Sequence, residues 1–513
     1  MPVRAVTAPP EARIDLGGVA RSGSASLVGA GVAAVLGAVF TVGVTRGAGA
    51  ADAGVFFSAT SVFLLLYTVA RLGTGTGVVY FLTRYRAGGR SDLVRPTLRA
   101  AAVPVTVLAV VLGVALYALA PAIGEVVVRG GGDAAVVPLR VLAVFVPLAA
   151  LSDLYLAAAR GFDRVRPLVL VDRVGRPLAQ VLGLGVALVA GWSVSYALPL
   201  VWAGPFLPSA VVAALWLRRL LPRAAATGGV PPWREFWAFT GPRALGSVAQ
   251  IALQRLDIVL IAALAGPAEA ALYTAATRFL VFGQLGGTAL GTGVQHRFGT
   301  LFATGDRAGA AELYRTSTAW LIVLTWPLYL LFAVFSPYVL ALFGRGYPVA
   351  EPVMVLLALT MLVATGCGMV DNVLNMAGRT TWTLANAVLA LVLDVALNFL
   401  LVPRIGILGA AVAWSVAIAA NNLLPLAQLG FAERLHPFGP GTGIAAGLAA
   451  TCFGVLPLVA AVLAGRTPPV LIGAAVAGTV LYLGGLWAAR EPLRLSALGA
   501  VRRRSGPQGR APR

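Results

Sequence analysis

Fourteen apolar stretches dominate this chain, centred near residues 34, 67, 108, 148, 179, 206, 250, 284, 325, 364, 392, 418, 452 and 479. A bilayer core about 30 Å thick is crossed by roughly 20 apolar residues in helical form. In lipid the backbone must satisfy its own hydrogen bonds, so a chain of this kind has to fold as helices. The loops between the stretches are short and leave no room for a soluble catalytic domain. Hydrophobic residues make up 59% and charged residues 11%, which rules out an ordinary soluble globule. We therefore expect an all-α polytopic membrane protein of about fourteen transmembrane helices.

The chain also repeats itself. Ala48-Gly49-Ala50-Ala51-Asp52-Ala53 matches Ala265-Gly266-Pro267-Ala268-Glu269-Ala270, and Leu-Gly-Thr-Gly occurs at Leu72–Gly75 and Leu290–Gly293. Gly161 and Gly378, each closing an apolar run ahead of a basic residue, keep the same separation. One plan used twice predicts two pseudo-symmetric six-helix lobes. Duplicated membrane bundles are typically transporters, with the substrate site between the repeats. The expected layout is a tail over 1–20, a first lobe over 21–217 and a linker over 218–234. A second lobe over 235–431, two appended helices over 441–489 and a basic tail over 490–513 follow. Both Leu-Gly-Thr-Gly copies are expected inside helices, where small residues let backbones approach.

The net charge is +20, and every basic side chain is arginine. A chain without lysine cannot carry the Gly-x-x-x-x-Gly-Lys-Ser/Thr phosphate loop, so an ATP-driven pump is not expected. Arginines crowd alternate loops: Arg84 to Arg99, Arg160 to Arg166, Arg218 to Arg234, Arg297 to Arg315 and Arg502–Arg504. The other loops carry single arginines. This is the positive-inside pattern, and it predicts both termini in the cytoplasm. Loops meeting anionic lipid account for the charge, so no nucleic-acid partner is expected. Two cysteines and two isolated histidines offer neither a disulfide framework nor a metal site, and no cofactor is expected. Arginine to the exclusion of lysine, beside abundant Ala, Gly, Val and Pro, points to a GC-rich bacterial genome and hence to a bacterial inner membrane.

Polar residues inside the stretches mark functional faces. Arg243, Ser247, Gln250, Gln254 and Asp257 share one face of span seven at helical spacing. Thr274, Thr277, Arg278, Gln284, Thr288, Thr292 and Gln295 make a second face on span eight. Asn386, Asp394 and Asn398 share a face of span eleven, and Asp371 and Asn375 one of span ten. In the first lobe, Ser58, Ser61, Thr68 and Arg71 line span two, and Asp172, Arg173, Arg176 and Gln180 open span five. Ionisable groups at this depth usually face a bundle interior or a wet cavity. Arg71, Arg176, Arg243, Arg255 and Arg278 outnumber the acids placed near them. Guanidinium groups grip phosphate in a fork, so the pattern points to an anionic, diphosphate-like substrate. Asp257 and Asp394 are candidate proton or sodium sites.

Two blocks carry a family resemblance. Leu256 to Ile261, Ala265 to Ala270 and Leu272 to Arg278 resemble the start of the second lobe in oligosaccharide (polysaccharide, O-antigen-type) flippases. Ala377-Gly378-Arg379-Thr380, Asn386 and Asn398 to Ala411 are similar to their span eleven to twelve hairpin. These belong to the multidrug/oligosaccharidyl-lipid/polysaccharide exporter superfamily. The resemblance implies a two-lobe alternating-access carrier and no enzyme. It implies a polyprenyl-diphosphate-linked oligosaccharide as substrate, moved between leaflets for cell-envelope polysaccharide synthesis. Membrane lipids, and glycosyltransferases or a polymerase of the same pathway, would be its partners. Arg71 and Arg278 sit at positions similar to cavity arginines of the related lipid II flippases, with Arg255, Arg176, Gln250 and Gln254 completing the expected substrate site. Span one, from Ser22 to Phe40, lacks the Arg/Asp motif of those flippases, which favours another glycan. A cation-coupled multidrug or metabolite antiporter of the same fold is the alternative.

Overall fold

The computed structural model describes residues 16–129, 132–192, 194–221 and 233–495, with side chains from 26 onward except at 194, 195, 289, 292, 293 and 296. Much of the expected linker, most of the N-terminal tail, the final basic stretch and the Thr292 side chain lie outside those residues.

Among the described residues there are helices and turns and no strand. The first lobe contains α1 (Leu16–Ala70), α2 (Thr74–Ala87), α3 (Val94–Ala118), α4 (Ala120–Val127), α5 (Gly132–Gly161), α6 (Arg176–Val189), α7 (Val194–Ala203) and α8 (Phe206–Leu220). The second contains α9 (Trp233–Leu264), α10 (Pro267–Thr277), α11 (Leu280–Ala303), α12 (Arg307–Val334), α13 (Ser336–Ala341), α14 (Glu351–Gly366), α15 (Val370–Met376) and α16 (Thr380–Ala432). Helices α17 (Pro440–Ala449), α18 (Leu456–Ala464) and α19 (Pro468–Ala488) follow, and a π-helical turn joins α17 to α18.

Ten described stretches, against the fourteen spans expected, are long and apolar enough to cross a membrane by themselves. Two of the ten fold back on themselves. The rings of Phe40 and Phe56 lie 6.1 Å apart. Along a straight helix 16 residues span about 24 Å, so α1 must reverse between them. It does so at Gly49, where φ is 80° and ψ is 169°. Helix α16 reverses in the same way at Gly406, and its two arms meet through an Asn386–Gln428 amide pair.

The repeat is visible in the backbone. Gly266, in the second Ala-Gly-x-Ala-acid-Ala copy, has φ 109° and ψ 165°, close to the values at Gly49. That region is open essentially to glycine alone. Each copy therefore encodes the tight turn between the first two spans of its lobe. The Leu-Gly-Thr-Gly copies behave differently. In the first copy Leu72 (φ 50°) and Gly73 (φ 68°) are left-handed and interrupt the helix between α1 and α2. The second copy stays inside α11. The expectation of two helical copies thus holds only for the second.

The lobes touch at both ends. At the Gly49/Gly266 end, Phe40, Phe56 and Phe57 pack into one buried cluster with Ile258, Ala270 and Ala275. Gly54 lies so close to Pro267 that a Cβ there would overlap the Pro267 carbonyl. Arg129 donates to the carbonyl of Leu264 at 2.8 Å, and Arg46 to that of Leu342 at 2.6 Å. At the arginine-rich end, Tyr80 stacks on Phe239 with ring centroids 4.4 Å apart. Arg84 pairs with Glu235 at 2.6 Å in the same place.

Candidate functional site

Along α9 the polar face runs from Arg243 to Asp257, and the surroundings change on the way. Arg243 folds back over the Phe239 ring at 3.7 Å and donates to its carbonyl. Gln250 and Gln254 face an open cavity of about 580 Å³ lined by residues of α9, α11, α12, α14, α15 and α16. All of its lining residues belong to the second lobe, whereas a cavity between the lobes was expected. Gln254, Gln284 and Trp414 also line a smaller chamber of about 80 Å³, so the two spaces adjoin.

Arg255, Asp257, Tyr273 and Arg278 line that smaller chamber. Arg278 sits in the turn between α10 and α11, 5.9 Å above the Phe57 ring of the first lobe. The Nε atoms of Arg255 and Arg278 are buried without a hydrogen-bond acceptor. Among the described residues neither side chain has an ion-pair partner. Two desolvated guanidinium groups facing one space raise the local potential and attract an anion.

Asp257 is not their counter-ion. It accepts from the Tyr273 hydroxyl at 2.8 Å and from the Asn398 amide at 3.1 Å. The same Asn398 nitrogen lies 3.3 Å from Asp394 Oδ1. Asp257, Asp394 and Asn398 are all buried, the last two completely. The shared face of α16 thus brings both candidate coupling acids onto one amide. Asp394 Oδ2 and Asn398 Oδ1 are buried with no hydrogen-bond donor, which leaves one carboxylate oxygen and one amide oxygen unsatisfied in the cluster. Hard oxygen ligands of this kind suit a small cation or a proton.

The first-lobe residues form a separate group. Arg71 Nε lies 3.3 Å from Asp153, and its Nη1 donates to the Tyr67 hydroxyl at 3.2 Å. Arg176 pairs with Asp172 at 2.9 Å and lies 4.6 Å over the Phe206 ring. Arg71 and Arg176 each face an acid, whereas Arg173 also lies 3.9 Å from Asp172 and Arg160 Nε is buried without an acceptor, so arginine exceeds acid in this lobe too. Neither Arg71 nor Arg176 lines the two second-lobe spaces. The hydroxyls of Ser58, Ser61 and Thr68 donate to the carbonyls of Gly54, Phe57 and Leu64 on their own helix. That polar face of span two is satisfied locally. Sequence reasoning passed over Trp414 and Asn422 and favoured helix packing for Asn421, and all three line the larger cavity. Asn421-Asn422 interrupting an apolar run was the available signal.

Residues 19–294, more than half of the chain, match the family model described as polysaccharide biosynthesis protein. The chain belongs to that family. Residues 242–400 also match the model described as MatE. No curated protein sequence matches the chain. Among solved structures, the lipid II flippase MurJ in an inward closed conformation superposes with a TM-score of 0.72 at 12% identity, covering 91% of this chain and 98% of that one. An inward-facing multidrug resistance MATE family transporter of the MOP superfamily gives 0.63 at 15% identity, covering 80% and 94%. A MOP superfamily transporter from Pyrococcus furiosus gives 0.57 at 18% identity, covering 82% and 96%. At these identities the likeness fixes the fold alone. The chain thus joins a polysaccharide biosynthesis family to a membrane fold shared with the flippase and the transporters named above.

Proposed function

We propose that this protein moves a polyprenyl-diphosphate-linked oligosaccharide from the cytoplasmic to the outer leaflet by alternating access. The observation that carries this reading is the pair Arg255 and Arg278, which share a chamber and have no acid of their own among the described residues. They would hold the diphosphate while the prenyl tail stays in lipid. At about 80 Å³ the chamber would have to widen to admit a diphosphate. The contact of Arg278 with Phe57 of the first lobe supports a phosphate site that lobe movement would alter. Arg71 and Arg176 would join the path by exchanging Asp153 and Asp172 for substrate.

The arginine-rich loops would face the cytoplasm, with glycosyltransferases or a polymerase of the same pathway supplying and consuming the glycan. Replacing Arg255 or Arg278 with Gln, in a strain dependent on this protein for glycan export, should abolish export while the protein inserts normally. Full export by both variants would sink the proposal.

Cation coupling is a second element, favoured by the Asp257–Asn398–Asp394 cluster. A 180° turn of the Asn398 amide would aim its orphaned oxygen at the space between the carboxylates, as a bound cation requires. If the transported molecule were instead a drug or metabolite, Asp257→Asn would abolish drug tolerance conferred by expression, and glycan export would not depend on this protein at all.

A further inference from the structure

The larger cavity has a chemistry that the arginine chamber does not explain. Seven side-chain amides line it, and of these only Asn422 has a hydrogen bond to protein among the described residues, to the Ile418 carbonyl at 2.8 Å. Gln250, Gln254, Gln284, Gln295, Asn372 and Asn421 present uncommitted donors and acceptors to one space. The Tyr329 hydroxyl, also on the wall, is buried without a partner. Asp371 is the one ionisable side chain other than tyrosine in the lining, and it has no ion pair among the described residues.

Packing glue accounts poorly for this. Amides that hold helices together pair with each other, as Asn386 and Gln428 do at 2.8 and 3.0 Å. Apolar groups, among them Leu253, Leu321, Met361, Val370 and Ile418, make up most of the wall, and the free amides are set into it beside one carboxylate and one indole. That combination suits a ligand that offers both hydroxyls and apolar C–H faces, as a carbohydrate does. Each amide can donate to one hydroxyl and accept from the next, and the carboxylate accepts two. The Trp414 ring can cover the apolar C–H face of a pyranose. At about 580 Å³ the space falls within the usual range for small-molecule sites.

We propose that this second-lobe cavity is a sugar subsite. It takes the carbohydrate next to the phosphates, and the adjoining arginine chamber takes the phosphates. Gln254, Gln284 and Trp414, which belong to both spaces, mark the glycosidic junction. The assignment rests on the proposed function above and adds to it a division of labour within one lobe.

The test is binding by the full chain in nanodiscs. The probes are farnesyl diphosphate and farnesyl diphosphate carrying N-acetylglucosamine, galactose or rhamnose. At least one glycosylated probe should bind about tenfold tighter than the bare diphosphate, a difference of about 1.4 kcal/mol. Gln250→Ala should remove most of that gain and leave the affinity for farnesyl diphosphate unchanged. Asp371→Asn, which conserves shape, should weaken the glycosylated probe alone by a smaller factor. Arg278→Gln should weaken all probes together. Equal wild-type affinity for bare and glycosylated probes overturns the sugar subsite, as does equal weakening of both by Gln250→Ala and Asp371→Asn. Unchanged affinities in Arg278→Gln overturn the phosphate assignment alone. Failure of the wild type to bind any probe overturns both.

Discussion

Asn398 donates to Asp257 across the interface of α9 and α16, at 3.1 Å, in a place closed to solvent. An amide bridging two carboxylates ties span seven to span eleven through a contact that a proton or cation can change. Asp257→Asn removes one charge and should leave a folded protein whose transport no longer responds to a sodium or proton gradient. Flux into proteoliposomes with and without each gradient reads this directly. Unaltered gradient dependence would remove Asp257 and Asp394 from the coupling role.

Gly49 and Gly266 hold the same glycine-only conformation. Gly49→Ala and Gly266→Ala should each cost about 1–3 kcal/mol through backbone strain. Thermal unfolding of the purified protein in detergent should show two losses of similar size, since the turns are equivalent. A neutral result for one would mean that its turn relaxes without resistance.

Gly54 is a different case, because its backbone is helical and its constraint is contact with Pro267. Gly54→Ala should hold the lobes apart at that end with little effect on either lobe. Paired spin labels across the Arg129–Leu264 contact should report a longer distance in this variant than in the parent.

The Arg84–Glu235 pair is half exposed, so it contributes little to stability. Its value is as a latch. Arg84→Cys and Glu235→Cys, in a background lacking Cys367 and Cys452 and joined by a reducible bis-methanethiosulfonate cross-linker that spans the longer backbone gap, should block transport. Reduction should restore transport. Full activity of the cross-linked form would show that this end need not open.

Asn386 and Gln428 exchange two hydrogen bonds between the arms of α16. Truncating either alone strands its partner and should cost about 1 kcal/mol, in the range measured for such bonds in membranes. The double replacement with leucine should cost less than the sum of the single changes. Additivity would mean that the pair is decorative.

Much of this was legible in the sequence because it depends on one helix at a time. Apolar run length gives membrane helices, and the repeated Ala-Gly-x-Ala-acid-Ala gives the two tight turns. Helical spacing put Gln250, Gln254 and Asp257 on one face of α9. What failed depends on which faces meet. Nothing along span two shows that Asp153, from α5, lies against Arg71 and neutralises it. Nothing in two identical Leu-Gly-Thr-Gly strings shows that one breaks its helix and the other does not, since the choice depends on what packs beside each. Gly73 abuts the Thr240 and Ala244 backbone of α9. The position of the larger cavity inside one lobe likewise follows from helix rotation, which a single sequence leaves open.

The interruption at Leu72–Gly73 divides span two into halves with different attachments. Its upper half packs on α10 and the end of α9 through Gly54 and Phe57, and its lower half packs on the start of α9 through Tyr80 and Arg84. An unbroken rod would have to leave both surfaces in one motion, losing all of that buried area in a single barrier. A jointed rod can peel from one surface while it stays seated on the other. If the lobes part during transport, the joint would turn one tall energetic step into two shorter ones.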